Sequence, residues 1–460
     1  MKKSALKLFI TVACLGAAIL ILGVIFFAVF IAEDNVSDIK NIYLNSSFVN
    51  SETVYMMLVF LFALLIGLGA LLFSVIYSMR SAVKKQTARR KRAKRLKKEK
   101  KSAPRFPGLA AIDKAQAIPG VSSYSSCALD ELCRRFRDYS ASELGLYYDI
   151  ADIRRFIAGM GMSKLIILRG MSGTGKTSLA YAAGEFFENP STVVPIQPMW
   201  KERSDMIGYF NEFTKKFNET TMLCKLYEAG GRGEVYITVL DEVNISRIEY
   251  YFAEFLSLLE IPNPSRRYLD VVSDRRKNDP KRLKNGKLLL PDNMWFVGTA
   301  NNDDSTFAIS DKVYDRAAVI DLEKRSAPFD AKSPVPCRIS CEKLNLLFEQ
   351  AKKTYSLSGK GREKIAELDS YLRRTFQISF GNRIMKQIET YVPIMLACGG
   401  SEDGALDDII SRKILRKLEQ ISPAYVKSRA DELTSYIDRL FGSGAMKQSL
   451  EYVEKLSKGF

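Results

Sequence analysis

At 460 residues, with 47% hydrophobic and 26% charged side chains, the chain is long enough for two or three domains and has the composition of a folded protein. It contains no histidine, which excludes a Ser/His/Asp or Cys/His catalytic centre, histidine-ligated zinc and an imidazole pH switch. The formal charge is +17, but residues 80–101 alone hold thirteen Lys or Arg and one Glu, leaving only +5 for the rest. The basicity is therefore a local patch.

Residues 8–32 are twenty-five consecutive uncharged residues, sixteen of them Leu, Ile, Val or Phe, and residues 54–79 form a second uncharged run. Each is long enough to span a bilayer, and the first favours insertion by about 5 to 10 kcal/mol. The reading is a transmembrane helical hairpin over 1–79. A cleavable signal peptide is the rival for the first run, whose apolar stretch is long for a signal core. Lys2, Lys3 and Lys7 on one flank and the run 80–101 on the other predict a two-span protein of the cell membrane, with both termini and the bulk of the chain cytoplasmic and the loop 33–53 outside. Asn45-Ser46-Ser47 in that loop matches a glycosylation sequon by chance. The basic run is expected to flank the span and to lie as a helix on anionic lipid, at about 1 kcal/mol per basic residue near the surface. It carries no aromatic residues to stack on bases, which disfavours nucleic acid as its partner.

Residues 80–125 comprise this segment and a Pro/Gly-punctuated linker from Ser102 to about Ser126. An amphipathic helical pattern follows from about Leu129 to Met160. Between Lys164 and about Leu322, short apolar runs (LIILRG, VVPIQ, VYITVL, MWFVGTA, AAVIDL) alternate with helical stretches. That alternation predicts an α/β domain over 126–325, a parallel sheet wrapped by helices. From 326 to 460 only the 3.6-residue period remains, which predicts an all-helical lid subdomain and C-terminal helices. Seven scattered cysteines read as free thiols, and Cys337-x-x-x-Cys341 lacks the second pair a metal site would need.

The chemistry concentrates at three strand ends. LIILRG runs into Gly170-x-x-x-x-Gly175-Lys176-Thr177, a phosphate-binding loop between a strand and a helix. Its glycines let successive amides of Gly170, Met171, Ser172, Gly173, Thr174, Gly175, Lys176, Thr177 and Ser178 curl around phosphates at a helix N-terminus. Lys176 is assigned to the β and γ phosphates and Thr177 to magnesium. VYITVLDE ends in Asp241, expected to hold the magnesium through its water shell, and Glu242, placed to orient and deprotonate the attacking water. MWFVGTANN ends in Asn301, which could bond the lytic water or the γ-phosphate. The adjacent Asn302 is an alternative, and a turn cap is a third reading.

These motifs, together with DEVNISRIEYYFAEFLSLLE (241–260), PDNMWFVGTANND and DKVYDRA, make residues 130–420 resemble the AAA+ superfamily of P-loop NTPases, and within it the MoxR/McrB-type (dynein-related) group, which includes the motor subunit of methylcytosine-dependent restriction. The resemblance implies an ATPase that uses ATP and Mg2+ and works as a homo-oligomeric ring, expected to be hexameric, with active sites between subunits. It implies that Arg316 in Tyr314-Asp315-Arg316-Ala317 is an arginine finger, and that Arg383 in FGNRIMKQIE is a second sensor on the lid that reports the γ-phosphate state. Two departures stand out. Ile245 occupies the place of the group's usual arginine after DEIN, with Arg247 as a substitute, and NDDSTF differs from the restriction motor's signature, which favours ATP over GTP.

Residues 264–287 hold nine Lys or Arg and three Asp, a solvated loop or one that lines a pore and grips an acidic polypeptide or a nucleic-acid backbone. Trp200 is expected to pack beside a loop near the nucleotide. Together the expectation is a membrane-anchored ATPase that remodels a protein client at the cytoplasmic membrane face, held to lipid by two spans and the polybasic segment. The alternative is a motor subunit of a nucleic-acid-directed restriction or defence system acting with a separate nuclease.

Overall fold

The computed structural model describes residues 16, 18, 19, 21–25, 51–102, 104–115, 127–276, 278–301, 306–323 and 325–458. The chain divides into two compact units, Met1–Ala103 and Pro104–Phe460.

In the first unit one helix, α1 (Ser51–Ser102), runs uninterrupted for 52 residues, or roughly 78 Å at 1.5 Å per residue. Its stretch Met56–Arg92 contains a window long and apolar enough to cross a membrane, and Leu58, Phe62 and Phe73 are exposed along it. The first candidate span, 8–32, lies mostly outside the described residues, as do most of the loop 33–53 and its sequon. The basic run 80–101 continues this helix without a break.

In the second unit five parallel strands form the central sheet in the order β5-β1-β4-β3-β2, with β1 Leu165–Gly170, β2 Thr192–Pro195, β3 Tyr236–Asp241, β4 Met294–Asn301 and β5 Ala318–Asp321. Each coincides with or lies within one of the apolar runs read from the sequence, give or take a residue at the ends. Alternation of side chains divides the strands between two cores. Ile166, Leu168, Ile237, Val297 and Ile320 face one layer of helices, and Leu165, Ile167, Tyr236, Phe296 and Val319 face the other. The first core continues into the helical subdomain through Leu344, Phe348, Ile388 and Ile394. That subdomain comprises Cys341–Thr354, Gly359–Phe376, Asn382–Ala397, Glu402–Ile409, Pro423–Phe441 and Lys447–Lys458, with a π-helical turn at Ile410–Ile414.

Part of the expected linker belongs to the folded unit. Pro107–Lys114 is a helix, with proline in its first turn, and Phe106 and Leu109 are fully buried. The Glu219 carboxylate accepts the amides of Gly108 and Leu109 at 2.6 and 2.8 Å. Arg105, almost wholly buried, pairs with Asp274 and Asp279 at 2.5 and 2.9 Å. Proline and glycine here mark a helix start, because the intervening apolar residues have a core to enter. The two cysteines of Cys337-x-x-x-Cys341 diverge: Cys337 Sγ lies 3.9 Å from Cys127 Sγ, whereas Cys341 faces the Asp292 carbonyl.

Candidate active site at the strand ends

The loop after β1 is shaped by glycine. Gly170, Gly173 and Gly175 have φ of +150°, +79° and +91°, and a Cβ on Gly170 would stand 2.3 Å from the Leu322 carbonyl oxygen. The Lys176 ammonium donates to the Gly170 and Met171 carbonyls at 2.9 and 2.6 Å. Tyr148 and Arg325 donate to the Gly175 and Gly173 carbonyls at 3.0 and 2.9 Å. The helix that begins at Lys176 and carries Thr177 and Ser178 presents its N-terminus to the same cradle.

β3 and β4 lie side by side, so their ends meet the helix of the loop. The Thr177 and Thr299 hydroxyls both donate to Asp241 Oδ1 at 2.8 Å, and the Glu242 amide donates to Thr299 Oγ1 at 2.9 Å. Glu242 has a left-handed backbone, φ +57°, rare for a residue with a Cβ and the kind of strain found at active sites. Its carboxylate is exposed, and Asn301 Nδ2 lies 3.4 Å from Glu242 Oε1. Buried Asn244 bonds both the amide and the carbonyl of Asn301, at 3.3 and 2.8 Å. Asn244 and Thr299 were not singled out by the sequence reading; they stand in the DEVN and GTAN stretches but look there like ordinary turn residues. Asn302 lies outside the described residues. Trp200 packs edge-on to Tyr251, 5.7 Å between ring centroids, and its carbonyl accepts from Ser246.

Glycine curvature beside a helix N-terminus suits a polyphosphate. The hydroxyl of Thr177 and carboxylate of Asp241, hard oxygen donors in contact, suit magnesium. These residues would hold the pair, and the metal when bound supplies charge neutralisation at the phosphate oxygens.

Beneath the loop lies a buried ionic network. Arg169, the residue before Gly170, and Arg412 of the π-helical turn bond the two oxygens of Asp321 at 2.8 and 3.0 Å. Arg412 also pairs with Asp408, which Arg155 bonds at 2.9 Å. Burial alone would raise the Asp321 pKa, but Arg169 and Arg412 outweigh it and pull the carboxyl down to about 2.

The two candidate arginines are elsewhere. Arg316, on the turn before β5, pairs through Nη2 with Glu260 Oε2 at 2.9 Å, and its carbonyl accepts from Ser163 Oγ at 2.7 Å. Arg383 pairs with Glu260 Oε1 at 2.5 Å. Both line a cleft that also includes Ser163, Lys164 and Leu165, at the N-terminal end of β1. β1 separates that end from Gly170 by roughly 17 Å. Arg383 therefore does not stand over its own loop, where a sensor of the subunit's own γ-phosphate would belong. The lid docks it beside Arg316. Lid residues also brace the arginine turn: Lys413 bonds the Tyr314 carbonyl at 3.1 Å and Gln387 that of Asp315 at 2.8 Å. Burial lowers the Lys413 pKa to about 7, although Asp315 pulls the other way.

A doubly covered parallel sheet with a glycine loop on its central strand and an Asp-Glu pair on a near neighbour defines a P-loop nucleotide hydrolase. Residues 165–317, about one third of the chain, match the family described as AAA domain (dynein-related subfamily). No curated protein matches it. Among solved structures, a candidate ATPase from Cytophaga hutchinsonii is similar at 14% identity and TM-score 0.42, covering 67% of this chain and 95% of that one. A full-length MCM homologue from Methanopyrus kandleri is similar at 9% identity and TM-score 0.37, covering 63% of this chain and 62% of that one.

Proposed function

We propose that the chain is a membrane-anchored ATPase that hydrolyses ATP between copies in a ring, expected to be hexameric, and uses the cycle to remodel a protein client at the cytoplasmic membrane face. The observation that supports the shared site is the position of Arg316, a strand's length from its own loop and so out of reach of its own triphosphate. In this reading Lys176 moves from the loop carbonyls to phosphate oxygens, and Asn301 and Glu242 hold the attacking water. Glu242 takes its proton, and Arg316 from the neighbour offsets charge on the leaving side. Glu242→Gln is expected to keep ATP affinity and to lose about 10² to 10⁴ in turnover. Undiminished turnover would remove Glu242 as the base.

The anchor is supported by the exposed apolar face of α1. Washing membranes with alkaline carbonate should leave the full chain in the pellet; its release to the supernatant would overturn the anchor. A nucleic-acid motor draws only partial support from the basic stretch 264–287, through exposed Arg266, Arg275, Lys281 and Lys284. Arg267 pairs with Asp292, Arg276 with Asp274 and Lys287 with Asp270, Arg282 lies over the Tyr227 ring, and Lys277 is outside the described residues.

A further inference from the structure

Glu260 caps the C-terminal end of the helix Ala253–Leu259, and each of its carboxylate oxygens holds one guanidinium, Arg316 from the turn before β5 and Arg383 from the first turn of Asn382–Ala397. The three side chains line an open cleft of about 550 Å³ together with Lys386, Arg267 and Asp315. Arg267 is paired with Asp292 and Lys164 lies against the Trp295 ring; the other cations of the cleft lining are Lys386 and the two arginines held by Glu260. Two further features mark this arrangement as provisional. Arg316 Nε is buried without a hydrogen-bond partner, so the present pose leaves a donor unused. Glu260 and Arg383 remain 34% and 52% exposed, so an incoming anion can reach the pairs.

A single carboxylate is a weak match for two guanidiniums, whereas a phosphate chain offers several oxygens and more charge, which arginine engages bidentately. Without Glu260, Arg316 and Arg383 would face each other as unscreened like charges. We propose that Glu260 is an internal surrogate for phosphate: it holds Arg316 and Arg383 in the lone subunit and yields both when the triphosphate of a second copy of this chain enters the cleft. The inference rests on the shared-site reading above, extended to Arg383 because it stands beside Arg316 on one carboxylate; what it adds is that a lone copy is kept idle by a carboxylate that assembly must displace.

The test uses full-length chain in detergent, with a slowly hydrolysed ATP analogue to drive assembly and ATP to read turnover. Glu260→Gln keeps the shape and removes the charge. It is expected to assemble at roughly three- to tenfold lower analogue concentration, the range two part-exposed ion pairs can supply. Turnover at low protein concentration should rise by a similar factor, and Arg316→Ala in the same chain should abolish that gain. Unchanged or weakened assembly in folded Glu260→Gln, with Arg316→Ala alone inactive, would overturn the surrogate role and leave the shared site standing. Normal turnover in Arg316→Ala would overturn the shared site itself. Arg383→Gln tests the proposal without altering Glu260: turnover in the assembled state should fall at least about tenfold while ATP affinity of the lone copy holds. A comparable loss of lone-copy affinity would instead place Arg383 at its own loop and end the proposal.

Discussion

Arg316→Ala is expected to bind ATP like the unaltered chain and to turn it over about 10³ to 10⁵ times more slowly, roughly 4 to 7 kcal/mol of barrier at 1.36 kcal/mol per decade. The magnitude follows from the proposed role, a fixed positive charge placed at developing negative charge. Its distance from the subunit's own loop makes the effect separable. Mixing Arg316→Ala with Glu242→Gln copies creates interfaces in which one partner contributes an intact loop and base and the other an intact arginine. Steady-state ATPase measured across mixing ratios should pass through a maximum. A flat, inactive profile would mean that the two residues belong to one copy's site.

Asp321→Asn is expected to destabilise the second unit by about 3 kcal/mol, because it leaves Arg169 and Arg412 facing a neutral amide in a site mostly closed to water. Against a typical domain stability of about 5 to 15 kcal/mol this is a large fraction. The same carboxylate sets an acid limit. Its folded pKa of about 2 lies below the ordinary value of 3.8, so the folded state binds the proton more weakly than the unfolded chain. The stabilisation, on the order of 2 kcal/mol, is complete above about pH 4 and disappears as pH falls through about 2. Chemical unfolding of the full chain, followed by tryptophan emission, should show Asp321→Asn to be less stable than the unaltered protein at about pH 7, with the gap narrowing at about pH 3. An equal difference at both pH values would detach the effect from this carboxylate.

The sheet was legible because each of its five strands is a short apolar run, and a strand covered on both faces needs little else. The loop was legible because glycine at fixed offsets has one physical use there. Asn244 was harder to see, since its work depends on β3 and β4 being neighbours, which spacing along the chain does not reveal. The same holds for Arg383. Its sequence motif identifies a lid arginine, but only the docking of Asn382–Ala397 decides which end of β1 it reaches, and the structure sets it against Glu260. Pro107–Lys114 carries the proline and glycine of a linker, and its few apolar residues alone do not distinguish it from one. The partners that bury it, Glu219 and the helix Thr221–Ala229, lie more than a hundred residues away.

The unbroken course of α1 has a consequence for packing copies together. Residues 80–101 carry a net +12 along a rod of roughly 33 Å. Parallel rods of one sign push each other apart unless they are spaced by more than the screening distance or sheathed in polyanions. Two copies brought side by side therefore meet a repulsion between these segments that acts within about 8 Å and that salt or a bound polyanion would lower.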